Sequence, residues 1–254
     1  MDIFDKYILQ ILDGCASESI LKLALTGESW EIAQKNTFLM ERDTAIELGG
    51  YPKESINIIV PSSKLSELTQ QAGRNKSFVL EDGVYCIGDT KLLYGKETHI
   101  SFGKIVLLET EHIPDDEWYE FTQSELLTDS KLWMKHVMLR QSPVHYNINL
   151  RVAKEAFNRG FDIQLLGETI YKAFRQMKYV KSVIVLLIVG ENKLYKELLT
   201  TAEKIKEVSL TLNHIFDGID MDCGHCDLSV VCNEVEAIRA LHKRRNGQGH
   251  TKAW

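Results

Sequence analysis

The chain has 254 residues, with 30 Lys and Arg against 36 Asp and Glu and a formal charge of −6. A domain that grips a phosphate backbone by charge is basic, so this balance argues against a general nucleic-acid binder. Hydrophobic residues at 44 % and charged residues at 26 % describe a chain able to bury a core, not a disordered or fibrous one.

The N-terminal run MDIFDKYILQILDGC mixes acids with apolar residues and has no basic region ahead of a long apolar stretch, so it predicts no signal peptide and a cytoplasmic location. Ile3, Tyr7, Ile8, Ile11 and Leu12, then Ile20, Leu21, Leu23 and Leu25, have helical spacing interrupted at Asp13-Gly14. They predict two short helices in a unit spanning 1–36. From 37 to 112 the pattern changes to short β-branched and aromatic runs: Ile56 to Val60, Ser77 to Leu80, Val84 to Ile87 and Ile105 to Leu108. This stretch predicts a strand-rich lobe, with Asp82-Gly83 as a hairpin turn.

Residues 113–215 read as an α/β lobe. Pro114-Asp115-Asp116-Glu117 opens a helix whose apolar spacing runs through Trp118, Phe121, Leu126, Leu127, Leu132 and Val137 until Pro143 stops it. A strand over Val144 to Val152 then leads into a helix from Ala153 to Gly160, and a second helix covers Gly167 to Tyr179. Lys181 to Val189 reads as a buried strand of parallel type, followed by a long charged helix over Glu191 to Leu210. The apolar run Val183 to Val189 is far short of the roughly 20 residues that cross a bilayer, so no membrane span is expected. The fold class is α/β in the α+β sense: a strand-rich N-terminal lobe, then alternating strands and helices, and over 216–254 a cysteine hook with a C-terminal helix.

Five cysteines is an odd number, and three of them crowd into Cys223-Gly224-His225-Cys226 and Cys232. A secreted disulfide framework fits this poorly. C-x2-C lets one knuckle of backbone aim two thiolates at a single ion, with Gly224 permitting the tight path, and Cys232 follows with C-x5-C spacing. Leu228, Val231, Val235, Ile238 and Leu241 recur every three or four residues, which predicts a helix carrying Cys232. Three sulfurs leave a tetrahedral site open, so a fourth ligand would come from His225, His242, His250, Cys15, Cys86 or a partner chain. A four-iron (4Fe-4S) cluster, a structural zinc ion and unmetallated thiols are all compatible with this spacing.

The run from Phe38 to Lys53, FLMERDTAIELGGYPK, is similar to the F-V-E-L-G-G-P-K stretch of the acetyl-CoA synthase subunit of carbon monoxide dehydrogenase/acetyl-CoA synthase complexes. Asn147 to Phe174 resembles that subunit's W-x-R-V-S-K segment and the helix after it. In both, an apolar strand, a charged helix and a cysteine cluster follow in that order, over roughly Phe38 to Cys232. By position, the resemblance implies that Cys223, Cys226 and Cys232 correspond to the first three cluster ligands of the family. Here the third spacing is shorter than the family's C-x2-C-x8-C, and the sequence holds neither a fourth cysteine after Cys232 nor the C-G-C that holds the second nickel. The resemblance therefore implies an accessory or truncated relative of the CO-methylating acyltransferase, not competent alone. Its expected associates are coenzyme A and a carbon monoxide dehydrogenase or corrinoid protein subunit.

The alternative from another class is a non-catalytic interaction module with structural zinc or free thiols. For coenzyme A, the candidate contacts are Lys53, in a Gly49-Gly50-Tyr51-Pro52-Lys53 loop with exposed amides, and a cleft formed by Arg140, Arg151, Arg159 and Arg175, since guanidinium forks bind phosphate bidentately. Each has a plainer reading: a turn for the loop, scattered surface arginines for the cleft. His136 and His145 read as solvated or satisfied, Trp118 and Trp133 as core, and the basic tail from His242 to Trp254 as a frayed end.

Overall fold

The computed structural model describes residues 3–15, 20–28, 30–39, 45–50, 52–74, 79–111, 113, 133–142, 147–216 and 231, with only the backbone for 140–142, 147–148 and 213–216. Strand β9 (Val180–Val189) is almost wholly apolar because both of its faces are covered. It lies at the centre of a five-stranded sheet ordered β1 (Ile20–Leu23), β4 (Gly83–Gly88), β9, β6 (Phe102–Thr110) and β3 (Ser55–Ser62). β9 runs parallel to β4, with Val84 opposite Val185, and antiparallel to β6, with Ile105 opposite Leu186. The sheet is therefore mixed rather than parallel.

A second sheet is ordered β5 (His99–Ile100), β2 (Ala45–Leu48), β8 (Asn147–Ala153) and β7 (Val137–Ser142). Both sheets draw strands from 37–112 and from 113–215, so these two stretches of sequence share their cores. The mixture of helices with two sheets is the α+β class expected from the sequence.

The period-2 alternation of β9 sorts the interior into two layers. Ile184, Leu186 and Ile188 face helices α1 (Asp5–Cys15), α2 (Leu65–Gly73) and α5 (Lys193–Phe216), the long charged helix. Leu194, Tyr195, Leu198, Ala202, Ile205 and Val208 form the buried stripe of α5 at helical spacing. Val183, Val185, Leu187 and Val189 face the other way, toward the second sheet and helix α4 (Ile163–Arg175). Asp162 caps α4 by accepting from the Leu165 amide at 2.8 Å. Gly167 lets this helix lie close to the sheet: a Cβ there would come within 2.4 Å of Val84 Cγ1. Between β8 and α4, the short helix α3 (Lys154–Asn158) ends near Gly160, as its sequence predicts.

Three expected elements differ. Ile20 to Leu25 does not continue as a helix: Ile20–Leu23 is a strand antiparallel to β4, and Leu21 and Leu25 are exposed, so these leucines never formed one buried helical face. Asp82-Gly83 is not a hairpin turn, because β4 pairs with β1 and β9 and residues 79–81 are not strand. The Asp82 carboxylate instead accepts from the Val183 amide and the Tyr171 hydroxyl, both at 2.6 Å, tying β4 to β9 and α4. Val137, read as the end of a long helix, opens strand β7, where pairing with β8 overrides the helical spacing. The remainder of that helix, from Pro114 to Leu132, lies outside the described residues, as does Ser77 of the expected strand before Asp82.

Candidate functional site

Cys223, Cys226 and Cys232 lie outside the described residues, together with His225, His242, His250 and the basic tail. Val231, the residue before Cys232, is helical and buried in the layer that α1 and α5 share. Cys15 and Cys86 are buried on opposite sides of the central sheet. Cys15 belongs to the same apolar layer as Val231, whereas Cys86 faces the second sheet. Burial pushes the Cys86 thiol up to about 11, against a hydrogen bond from the Ile87 backbone that lowers it, which disfavours the thiolate that metal binding needs. Among the described residues, no group of three His, Cys, Asp or Glu side chains converges as a metal site would require.

The expected anion contacts are not gathered in one place. Gly49 and Gly50 turn the chain from the second sheet into the first, with φ of 76° and 82°. The Gly49 amide donates to the Ile100 carbonyl at 2.8 Å, so it is committed to the backbone rather than presented to a phosphate. Lys53 is half-buried on this turn. Arg140 has its backbone in β7 opposite Asn149. Arg151 is buried: its Nε lies 2.6 Å from Glu47 Oε2 and its Nη1 donates to the Leu39 carbonyl at 2.9 Å.

Arg159 is exposed and pairs with Glu155 one helical turn away. Arg175 is exposed and donates to the Val180 carbonyl at 3.1 Å. Arg159 and Arg175 flank the two ends of α4, a helix of 13 residues, so about 20 Å separates their surroundings at 1.5 Å per residue. His136 is half-buried at φ 62° and Trp133 is half-buried. His145 and Trp118 fall outside the described residues.

The polar chemistry that the structure does bring together lies between the two sheets and was not singled out from the sequence. Asn57 and Lys104 are Cα partners across β3 and β6, both buried, on the face toward the second sheet. They line a cleft with Phe102, Met134, Leu150, Leu166 and Ile170. The Oδ1 of Asn57 has no hydrogen-bond partner, and the same holds for Ser55 Oγ and Asn149 Oδ1 beside the Gly49-Gly50 turn. Each such buried acceptor costs about 1–3 kcal/mol when unpaired. The available signal was a polar residue inside an apolar strand, Ile56-Asn57-Ile58 and Gly103-Lys104-Ile105.

A second buried carboxylate, Glu168 on α4, is 1 % exposed and accepts from the Thr26 amide and hydroxyl at 3.0 Å and the Gly27 amide at 2.7 Å. Burial pushes its pKa up, but the bonds from Thr26, Lys172 and Gly27 outweigh this and hold it below the ordinary glutamate value. Lys172 completes the clamp, with its ammonium 3.2 Å from Glu168 and donating to the carbonyls of Gly27 and Glu28. This constellation fixes the segment after β1 onto α4 and leaves no oxygen pair facing solvent for chemistry. No protein-family model matches this chain, and no curated protein sequence matches it.

Proposed function

We propose that this chain is an acetyl-CoA synthase-like accessory protein of one-carbon metabolism that holds an iron–sulfur cluster, or another metal, on Cys223, Cys226 and Cys232. The reading rests on the order of features along Phe38 to Cys232 and on the C-x2-C-x5-C spacing. The structural observation that supports it is Val231, the residue before Cys232, which is buried in the apolar layer that holds α1 and α5. Thiolates would supply the soft ligands that iron–sulfur clusters and zinc share. Coenzyme A and a carbon monoxide dehydrogenase or corrinoid protein subunit are the associates of this reading. Arg151 serves it less well than the sequence implied, because its guanidinium is engaged by Glu47.

Metal analysis after anaerobic purification tests the proposal. A brown protein with iron and acid-labile sulfide in equal amounts is the expected result, and Cys226→Ala should remove both. A colourless protein with one zinc per chain would replace the cluster by the structural-zinc alternative. Metal content unchanged by Cys226→Ala, or no metal at all, would reject the hook.

A further inference from the structure

Independently of the cysteine hook, residues 30–39 form a strap whose ends and middle are held by different means. Just before it, Glu168 accepts from the Thr26 and Gly27 amides, and Trp30 itself packs edge-on against Phe161 with ring centroids 5.2 Å apart. The Trp30 Nε1 also donates to the Lys135 carbonyl at 2.7 Å. At the far end, the Leu39 carbonyl accepts from the buried Arg151 guanidinium at 2.9 Å. Both anchors use groups that belong to the interior, where a hydrogen bond is stronger than in water.

The middle of the strap is held by hydrogen bonds to β7 and to the stretch before it. The Ala33 amide donates to the Trp133 carbonyl at 2.7 Å and the Lys135 amide to the Glu31 carbonyl at 2.9 Å, around an antiparallel bridge between Ile32 and Met134. The Asn36 carboxamide then does what a neighbouring strand would do. Its Oδ1 accepts from the Leu139 amide at 3.0 Å, and its Nδ2 donates to the Leu139 carbonyl at 2.8 Å. Apolar burial adds little, since Ile32 is 54 % and Phe38 79 % exposed. Hydrogen bonds exchanged for water contribute only modestly, so this stretch belongs to the low end of local stability. What it covers matters, because β7 is the edge of the second sheet and an uncovered edge presents its backbone groups to any added strand.

We propose that residues 31–38 are a hinged cover for the edge of β7: they lift away as one unit between the anchors at Trp30 and Leu39 while both sheets stay folded. Closed, the cover satisfies the Leu139 backbone through Asn36. Open, it leaves that edge to solvent.

Native-state hydrogen exchange of the full chain tests this. The amides of Ala33 and Lys135 are bonded across the strap, but not by Asn36, and therefore report its opening at a distance from that residue. Both should exchange at least tenfold faster than Leu186, in the central strand of the five-stranded sheet, after correction for intrinsic rates. Asn36→Ala removes two hydrogen bonds and should speed Ala33 and Lys135 by a common factor of about tenfold or more, with Leu186 unchanged. Acceleration at Leu139 alone, or unequal factors at Ala33 and Lys135, would mean that Asn36 acts locally and would overturn the single unit. Equal protection of Ala33, Lys135 and Leu186 in the parent, or equal acceleration of all three in the variant, would mean that the strap opens only with the whole fold and would overturn the hinge.

Discussion

The two faces of the central sheet are built on different terms. On one face, β9 and β6 present Ile184, Leu186, Ile188, Ile105 and Leu107 to three helices, and the layer is mostly apolar, with the hydroxyls of Ser62, Thr69 and Thr211 buried on its side. On the other, the same strands meet a second sheet, and Ser55, Asn57, Lys104, Glu47, Arg151 and Asn149 are buried in or beside the seam. The first arrangement maximises dry contact. The second accepts desolvated polar groups, and a fold retains those where position or recognition matters more than stability. The two faces therefore differ in what fills them: mostly apolar contact on the helical side, apolar contact threaded with buried polar groups on the sheet-to-sheet side.

The sharpest way to break this comparison is at the ion pair. Glu47 and Arg151 are 3 % and 7 % exposed at their side chains, so removing one leaves a buried charge uncompensated. Glu47→Ala should cost about 3–5 kcal/mol in urea unfolding, whereas the double replacement Glu47→Leu with Arg151→Met should come close to the parent. A small single-mutant effect would show that the pair is hydrated and that the seam is not dry.

On the helical side, Leu186→Ala removes a fully buried side chain between β9 and the helices and should cost about 2–5 kcal/mol, depending on how far the layer collapses. No compensating second substitution is expected to restore it, in contrast to the ion pair. Similar losses from Glu47→Ala and Leu186→Ala, with similar rescue, would erase the distinction between the faces.

The Glu168 clamp gives the smallest and the most pH-dependent effect. Its folded pKa is depressed below the ordinary 4.5, so its contribution is complete above that value and is lost as pH falls through the folded pKa. Glu168→Gln should lower stability at pH 7 by about 1–3 kcal/mol and flatten the acid limb of the stability profile. Unchanged acid sensitivity in Glu168→Gln would show that another carboxylate controls it.

Strands whose apolar residues run together were legible: β3, β4, β6 and β9 follow from Ile56 to Val60, Val84 to Ile87, Ile105 to Leu108 and Lys181 to Val189. So were α1 and α5, whose stripes have a clean helical period. Ile20 to Leu25 and Val137 misled because a short segment takes the conformation of its neighbour. An open edge of β4 and the flank of β8 supplied ladder hydrogen bonds that local spacing does not encode. Asp82-Gly83 misled in the same way, since its aspartate is used by α4 and β9, more than 80 residues further along the chain.

The candidate sites divide along the same line. The cysteine spacing is local and could be read directly. Arginines chosen by residue type were not gathered, because nothing in sequence spacing tells that Arg151 faces Glu47 across a strand pair or that Arg159 and Arg175 flank opposite ends of one helix.

What the sequence by itself determined is the alphabet of elements: an α+β chain, its central apolar strand, its long amphipathic helix and a C-x2-C-x5-C hook. Those depend on periods of two and 3.6 residues and on spacing within a few positions. Only the tertiary structure decided that β9 lies between strands from the first half of the chain, and that Asn57 meets Lys104 in a seam closed by α4 and the second sheet. Such meetings depend on register between distant strands, and register is set by which buried faces fit together, a property of the assembled layers rather than of any one segment.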